Sequence, residues 1–307
     1  MFNVPIVVVI FNRPQCAKQL MDALNSLQPT NIYVVSDAPR DDVAGEKAKV
    51  LASRSFFENI PWPCQVQYDY ASRNMGTMDR ISSGLDWVFS NVRQAIILED
   101  DCIPNLEFFQ FCEVLLERYA EDERVLSISG TRLAPEQSSP IDYQFSRYAF
   151  CWGWATWARA WSKFDCDMLS YAKTRKTKFL RSHLGGFRQA IYWRWLLDRV
   201  VDGRIGSWAY KWTFAHWFNN GLAIVPRVNL VSNEGFGEDA TNTKTKSRWL
   251  SMDVKMLSFP LREPLKVVPD SEADQWIEDH VFSKSVRSRI SWAITWCKTR
   301  VNSLRGV

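Results

Sequence analysis

The first 130 residues alternate strand-like and helix-like segments, and this alternation constrains the fold more than any other feature. Residues 4–10 form an apolar, largely β-branched run, which is typical of a strand buried on both faces of a parallel sheet. Pro14 begins a segment with apolar residues at helical spacing. Further strands are predicted at 32–35, Gln65–Tyr70, 95–98 and 125–128, and helices at 42–57, 79–89 and 105–119. The alternation predicts an α/β fold with a doubly wound, mostly parallel sheet.

The pattern changes after about residue 131. Residues 134–142 are rich in proline and serine and predict a loop, and an aromatic segment follows at 148–161. A helical segment is predicted around Phe187–Val201, and it leads into the aromatic residues 208–217. We therefore divide the chain into residues 1–130, 131–250 and 251–307.

Charge and composition narrow the class of protein. Residues 1–150 carry 13 basic and 20 acidic side chains, whereas residues 151–307 carry 25 basic and 14 acidic ones. Because the basic excess is confined to one half, we expect no nucleic-acid partner. No apolar run approaches the roughly 20 residues that span a bilayer, and seven cysteines without a CxxC pair indicate reduced thiols. The sequence predicts a cytoplasmic protein, with peripheral attachment to the inner face of the membrane left open.

Polar side chains follow four of the predicted strands. They lie at residues 11–13, 36–40, 72–76 and 99–101. Because ligands bind outside the carboxyl ends of strands in such sheets, we expect these side chains to converge on one crevice.

The run Glu99, Asp100, Asp101 predicts a site for a divalent cation. Three consecutive carboxylates after a buried strand are costly unless positive charge neutralises them. Oxygen donors without a nearby His or Cys suit Mg²⁺ or Mn²⁺, with phosphate oxygens completing the shell. The alternative is an exposed acidic turn before the next helix.

Single residues at the other strand ends each allow two interpretations. Arg13 and Arg73 could pair with phosphate as planar forks, or be solvated arginines. Asp37 could accept hydrogen bonds from a ribose or a base, or form an Asx turn with Pro39 close behind. Gly76 permits a positive φ beside a ligand, or a plain turn.

Several motifs, taken together and in order, resemble a known family. Segments 4–13, 36–40, 74–76, 98–104 and 108–109 resemble a GT-A-fold glycosyltransferase of the family 2-like type. Segments 148–157 and 233–241 resemble a bacterial subgroup of these enzymes. The motif order is also similar to that of N-acetylglucosaminyltransferase I, an inverting enzyme with a Glu-Asp-Asp metal motif. The resemblance covers roughly residues 4–245.

The resemblance implies a transferase that moves a sugar from a nucleotide-diphosphate donor to a glycan or a lipid-linked acceptor, with inversion and with Mn²⁺ or Mg²⁺. Asp101 would ligate the metal, and Trp152 and Trp154 would form part of an acceptor wall. The nucleotide-sugar contacts implied are Phe11, Asn12, Arg13, Asp37, Arg73, Asn74, Gly76 and Asp100. Residues 1–130 would then bind the donor and residues 131–250 would form the acceptor side of the same domain. The aromatic rings also allow a purely structural interpretation as large buried side chains, which we expect for most of them, with Trp152 and Trp154 the first candidates for ligand contact.

Two positions depart from the family pattern. Ala209 stands where the resemblance implies a carboxylate, and Asn242 stands where it implies a histidine. With that carboxylate absent, Glu238 and Asp239 are the nearest candidates for a general base that deprotonates the acceptor. The alternative is that both carboxylates cap turns of a glycine-rich loop.

Two other functions remain open. Ala209 favours a non-catalytic carbohydrate-binding or membrane-binding protein that retains the aromatic wall. A sugar-phosphate nucleotidyltransferase needs a glycine-rich loop after the first strand, whereas this chain has Phe11, Asn12, Arg13 and Pro14 there.

The extension 251–307 ends in a segment with helical periodicity. Apolar residues in 282–304 step by three or four, with six basic residues around them and no acid. Such a basic amphipathic helix could contact an anionic membrane, or dock on the protein's own core.

Overall fold

The computed structural model describes residues 2–136, 138–235 and 252–282. The strands are β1 (Ile6–Ile10), β2 (Asn31–Ser36), β3 (Gln65–Tyr70), β4 (Gln94–Glu99), β5 (Cys102–Pro104), β6 (Val125–Ser129), β7 (Tyr143–Ser146), β8 (Trp154–Trp157), β9 (Leu222–Pro226) and β10 (Val231–Asn233). The helices are α1 (Pro14–Leu27), α2 (Glu46–Glu58), α3 (Thr77–Phe89), α4 (Leu106–Arg118), α5 (Ala158–Trp161), α6 (Leu169–Thr174), α7 (Phe179–Leu184), α8 (Phe187–Val201), α9 (Trp208–Phe218) and α10 (Ser271–Ile277). A π-helical turn, Glu278–Phe282, continues α10.

Eight strands form one twisted sheet in the order β3-β2-β1-β4-β8-β6-β9-β7. Strands β1 to β4 are parallel to one another, and β6 and β9 run in the same direction. Only β7 and β8 run the opposite way in this sheet, as its described pairings show. The predicted α/β fold with a mostly parallel sheet is therefore confirmed.

The helices pack on both sides of this sheet. Contacts join α1 to α2 and α4 in one group, and α3 to α5 and α9 in another. Helix α3 lies very close to β2, because a Cβ added at Gly84 would be 2.4 Å from Val35 Cγ1. A glycine here lets the helix approach the strand, and the two-sided arrangement is that of a doubly wound fold.

Two hydrophobic clusters stabilise the structure. The larger one surrounds the sheet and includes Trp154, Trp161 and Trp212. The second joins helices α6 to α10 around Tyr148 and Trp193. Because β8 and β9 belong to the same sheet as β1 to β4, the predicted parts 1–130 and 131–250 share one sheet.

The described part of the C-terminal extension packs back onto the chain. The Asp270 N–H donates to Phe145 O at 2.8 Å, and the Ser146 hydroxyl donates to Asp274 Oδ1 at 2.6 Å. The predicted basic amphipathic segment 282–304 lies outside the described residues, except for Phe282. None of the described helices is long and apolar enough to cross a membrane.

Candidate functional site

The site lies where the strand order reverses. Strand β1 has β2 on one side and β4 on the other. The chain therefore adds strands β2 and β3 on one side of β1 and then places β4 on the opposite side. The Asp100 N–H extends the β1–β4 ladder by donating to Val9 O at 2.9 Å. The residues that follow both strands therefore lie together at a topological switch point, the usual ligand position in such sheets.

Arg13 bridges the two acidic residues that follow β4. Its Nη1 lies 2.5 Å from Asp101 Oδ2, and its Nε lies 3.4 Å from Asp100 Oδ1. The Phe11 N–H donates to Asp100 Oδ2 at 3.1 Å. Asp100 and Asp101 are both buried. The structure thus brings Phe11, Arg13, Asp100 and Asp101 into one cluster, as the convergence of strand ends predicts.

Arg13 alone does not compensate for the burial of three neighbouring carboxyl groups, those of Glu99, Asp100 and Asp101. Burial, Asp101 and Asp100 raise the pKa of Glu99 to about 8. Burial likewise raises the pKa of Asp100 to about 7, although Arg13 opposes the change. Burial alone would lower the pKa of Arg13, but the two aspartates outweigh it and raise the pKa. A further cation would stabilise the charged carboxylates.

Strand β10 covers the same cluster. It pairs with β5 in antiparallel register, and the Glu234 N–H donates to Asp101 O at 2.8 Å. A Cβ added at Gly235 would be 2.0 Å from Asp101 Oδ2 and 2.9 Å from Arg13 Nη1. Gly235 therefore lies against the ion pair, at a position where no other residue fits without displacing it.

Asp37 holds the loop that follows β3. Its carboxylate accepts hydrogen bonds from the N–H groups of Ala38 at 2.8 Å, Met75 at 2.9 Å and Gly76 at 2.9 Å. The Asn74 side chain donates to Ala38 O at 2.6 Å. Gly76 has a φ of 79°, a conformation that favours glycine. Asp37 and the 74–76 loop thus form a second cluster at the same edge of the sheet.

A buried glutamate links the ends of β1 and β2, and the sequence analysis missed it. Glu46 Oε1 accepts a hydrogen bond from the Asn12 side chain at 2.8 Å, and Oε2 accepts one from the Arg40 N–H at 2.7 Å. The Arg40 guanidinium also binds this carboxylate, and mainly for that reason the pKa of Glu46 falls to about 2. The sequence feature that could have revealed this contact is Arg40, which stands six residues before a glutamate at the start of a helix.

The remaining predicted residues are more dispersed. Arg73 is exposed in the loop after β3. Trp152 is half-buried, whereas Trp154 is 1% exposed and packs against Trp208 and Trp212 in the main cluster. The ring of Trp154 therefore offers no face to a ligand in this structure, and it belongs to the core rather than to an acceptor wall.

The structure describes only one of the two positions that differ from the motif pattern, Ala209 and Asn242. Ala209 lies on α9, half-buried against the main hydrophobic cluster. Glu238, Asp239 and Asn242 lie outside the described residues.

The donor set fits a hard cation bound together with a ligand. Within residues 2–136, 138–235 and 252–282, no group of three or more His, Cys, Asp or Glu side chains is arranged to hold a metal ion. Asp101 Oδ1 accepts only a weak hydrogen bond among the described contacts, from Cys102 Sγ at 3.5 Å. Mg²⁺ and Mn²⁺ need only one or two protein carboxylates when phosphate oxygens complete the shell. Asp101 with Asp100 beside it meets that requirement.

Comparison by sequence finds no relative. No protein-family model matches the chain, and no curated protein matches it.

Comparison by structure finds weak similarities. A mannosyltransferase from Pyrobaculum calidifontis, in complex with GDP-Man and Mn²⁺, shares 11% identity at a TM-score of 0.39 over 71% of this chain and 68% of its own. HddC from Yersinia pseudotuberculosis, complexed with GMP-PN, shares 10% identity at a TM-score of 0.33 over 52% and 78%. A mannose-1-phosphate geranyltransferase from Thermus thermophilus shares 10% identity at a TM-score of 0.34 over 75% of each chain. At these scores the similarities assign neither a family nor an activity.

Proposed function

We propose that this protein is a GT-A-type glycosyltransferase that transfers a sugar, with inversion, from a nucleotide-diphosphate donor to a glycan or a lipid-linked acceptor, using Mn²⁺ or Mg²⁺. The observation that carries the proposal is the cluster of Arg13, Asp100 and Asp101 at the switch point between β1 and β4. A buried acidic pair with a planar cation is suited to a diphosphate and its metal ion.

The donor would occupy the edge of the sheet between the two polar clusters. Asp101 would hold the metal ion, which would offset negative charge on the departing nucleoside diphosphate. Arg13 would bind a phosphate oxygen through its planar guanidinium, exchanging part of its present contact with Asp101. Asp100 is fixed by the Phe11 N–H and would face the ribose or the sugar.

The second cluster would shape the nucleoside pocket. The three hydrogen bonds that Asp37 accepts fix the backbone around Gly76, so Asp37 would act by positioning this loop as well as by direct contact. Asn74 and Gly76 would line the pocket, and Arg73, which is exposed in the same loop, would bind a phosphate. Asn12 is oriented by Glu46.

The acceptor side of the proposal depends on fewer observations. Trp152, half-buried, would present a ring face to a sugar. Glu238 and Asp239 are proposed as general base, in a segment that begins directly after Gly235 beside Asp101. Peripheral contact of 282–304 with an anionic membrane would suit a lipid-linked acceptor.

A donor screen tests this function. The full chain is heated with UDP-, GDP-, TDP- and CMP-sugars in the presence of Mn²⁺, because a bound donor raises the unfolding temperature by mass action. Nucleotide sugars that stabilise the protein are then assayed for sugar transfer or for hydrolysis. Asp101→Asn is expected to be inactive, and Asp122→Asn, which changes another arginine-paired aspartate, is the control.

The alternatives are distinguished by a parallel assay with a nucleoside triphosphate and a sugar phosphate. A sugar-phosphate nucleotidyltransferase would release pyrophosphate from these two substrates. A non-catalytic protein would bind carbohydrate without turnover. Either result would contradict the proposed transferase.

A further inference from the structure

The helical layer formed by α6, α7 and α8 is strongly basic. Residues 169–206 contain nine Lys or Arg and only two acidic residues, Asp198 and Asp202. Both acids are already paired, Asp198 with Arg175 at 2.5 Å and Asp202 with Arg204 at 3.1 Å. The two acids offset two of the nine basic residues, so residues 169–206 keep an excess of seven positive charges.

Helix α8 combines this charge with exposed apolar side chains. Phe187 is 64% exposed and Ile191, one turn later on the same side, is 46% exposed. The opposite side of the helix is buried, with Trp193 and Leu197 fully inaccessible. Arg188 and Arg194 are exposed on the same side as Phe187 and Ile191. These four residues, Phe187, Arg188, Ile191 and Arg194, form what we call the α8 outer face.

Neighbouring arginines lie over the rings of this surface. The Arg181 guanidinium of α7 lies 5.9 Å from the Phe187 ring centroid, and that of Arg199 lies 4.2 Å from the Trp195 ring. Long cationic side chains of this kind can keep their charges at the level of lipid headgroups while apolar neighbours enter the acyl boundary.

The chain also leaves the described structure next to α8. Phe282, the last described residue, packs against Trp193 at 4.7 Å between ring centroids and against Tyr192 at 6.5 Å. The 25 residues that follow contain six basic residues and no acidic one. A second basic segment therefore starts beside the first.

We propose that the α8 outer face, with Arg181 of α7, binds an anionic phospholipid bilayer. Charge complementarity favours anionic headgroups, and the exposed Phe187 and Ile191 favour a surface with an apolar interior. A nucleic acid would use the arginines but would leave the aliphatic side chain of Ile191 exposed to water. This surface is separate from the proposed donor site and does not depend on transferase activity.

Vesicle binding by the full chain tests the proposal. Co-sedimentation is measured with vesicles of phosphatidylcholine and with vesicles that also contain phosphatidylglycerol. The variants are Ile191→Ser, which removes the apolar contact without changing the charge, and Arg188→Glu, which reverses one charge. The matched controls are Leu51→Ser, exposed by 54% on α2, and Lys47→Glu on the same helix. All four positions are exposed, so the variants are expected to fold.

We expect binding to the anionic vesicles and little binding to phosphatidylcholine alone. Arg188→Glu should lower the partition coefficient about fivefold or more, and Ile191→Ser about tenfold, while both controls bind as the wild type does. Unchanged binding of the two α8 variants would overturn the proposal, since attachment would then lie elsewhere in the chain. Binding to a polyanion such as RNA that depends on Arg188 but not on Ile191, without vesicle binding, would overturn it in favour of a nucleic-acid surface.

Discussion

Arg13 Nη1 lies 2.5 Å from Asp101 Oδ2, although the two residues are 88 positions apart in the chain. They meet because β1 and β4 are neighbours in a parallel sheet, so that both strands end at the same edge. An arginine and an acidic run that look unrelated in the sequence thus form one charged cluster.

Removing the guanidinium should destabilise the protein and increase its response to metal. In Arg13→Met, Glu99, Asp100 and Asp101 lose their only neutralising side chain among the described contacts. We expect the free energy of unfolding to fall by about 2 kcal/mol without metal, as measured by urea denaturation. Mn²⁺ should restore more stability to this variant than it adds to the wild type. Arg124→Met, at an exposed arginine–aspartate pair, is the control and should change little. An unaltered response to Mn²⁺ would argue against a cation site.

A single methyl group at Gly235 should disturb the proposed metal site. In Gly235→Ala the new Cβ would collide with Asp101 Oδ2, so the carboxylate or β10 has to move. We expect Mn²⁺-dependent binding of a nucleoside diphosphate to weaken about tenfold, as calorimetry would measure, because a charge-assisted contact is lost. Gly206→Ala is the matched control, since nothing lies within 4 Å of its added Cβ. Equal affinities of the two variants would show that Gly235 does not support the site.

Asp37 should act as an acceptor for the loop after β3. In Asp37→Asn the amide nitrogen cannot accept a hydrogen bond, so at least one of the Ala38, Met75 and Gly76 N–H groups loses its partner. We expect a loss of about 1–3 kcal/mol in the free energy of unfolding. Hydrogen exchange at Met75 and Gly76 should also become faster. The exposed Asp41→Asn in the neighbouring loop serves as control, and identical behaviour of the two variants would refute the assigned role.

Stability should fall as pH rises through the acidic to neutral range. Burial raises the pKa of Glu278 from 4.5 to about 7, although its carboxylate accepts hydrogen bonds from Trp193 Nε1 and the Tyr148 hydroxyl. At pH values between about 4.5 and about 7, the native state therefore keeps a proton on Glu278 that the unfolded state has released. The stabilisation is fully present below the unfolded pKa and is lost as the pH passes the folded one. Asp274, whose pKa burial raises to about 6, acts in the same direction.

Glu278→Gln isolates that contribution. Because glutamine does not titrate, the variant should gain stability relative to the wild type between about pH 5 and about pH 8, by about 1–3 kcal/mol. Denaturation of the variant and the wild type at about pH 5 and at about pH 8 measures this change in the free energy of unfolding. Glu272→Gln, exposed on α10, should show no such gain. A difference between wild type and Glu278→Gln that stays constant with pH would mean that Glu278 titrates normally.

The alternation of the first 130 residues was sufficient to predict the parallel half of the sheet. Strand β3 and helix α8 have the predicted bounds, because alternating or helical apolar spacing identifies them locally. Strand β8 was missed, because Trp154–Trp157 is buried on both faces and shows no alternation. Its insertion between β4 and β6 is a long-range pairing that local spacing does not encode.

The candidate site was predictable to a similar extent. Strand ends indicate which residues meet, so the sequence predicts that Arg13 and Asp101, and also Asp37 and Gly76, lie at one edge of the sheet, while their roles in binding stay predictions. Side-chain partners depend on the tertiary arrangement, and the sequence therefore did not reveal that Asp37 binds backbone N–H groups or that Glu46 orients Asn12. Trp154 was predicted to contact a ligand but lies in the core. Aromatic composition alone does not distinguish a core ring from an exposed one.

The most direct test of the account is calorimetry of nucleoside diphosphates against the full chain, with and without Mn²⁺ or Mg²⁺. We expect at least one nucleoside diphosphate to bind only when the metal is present. Asp101→Asn should weaken that binding about tenfold or more, and Asp122→Asn should leave it unchanged. No metal-dependent binding of any nucleoside diphosphate, or equal affinity for Asp101→Asn and the wild type, would contradict the proposed function.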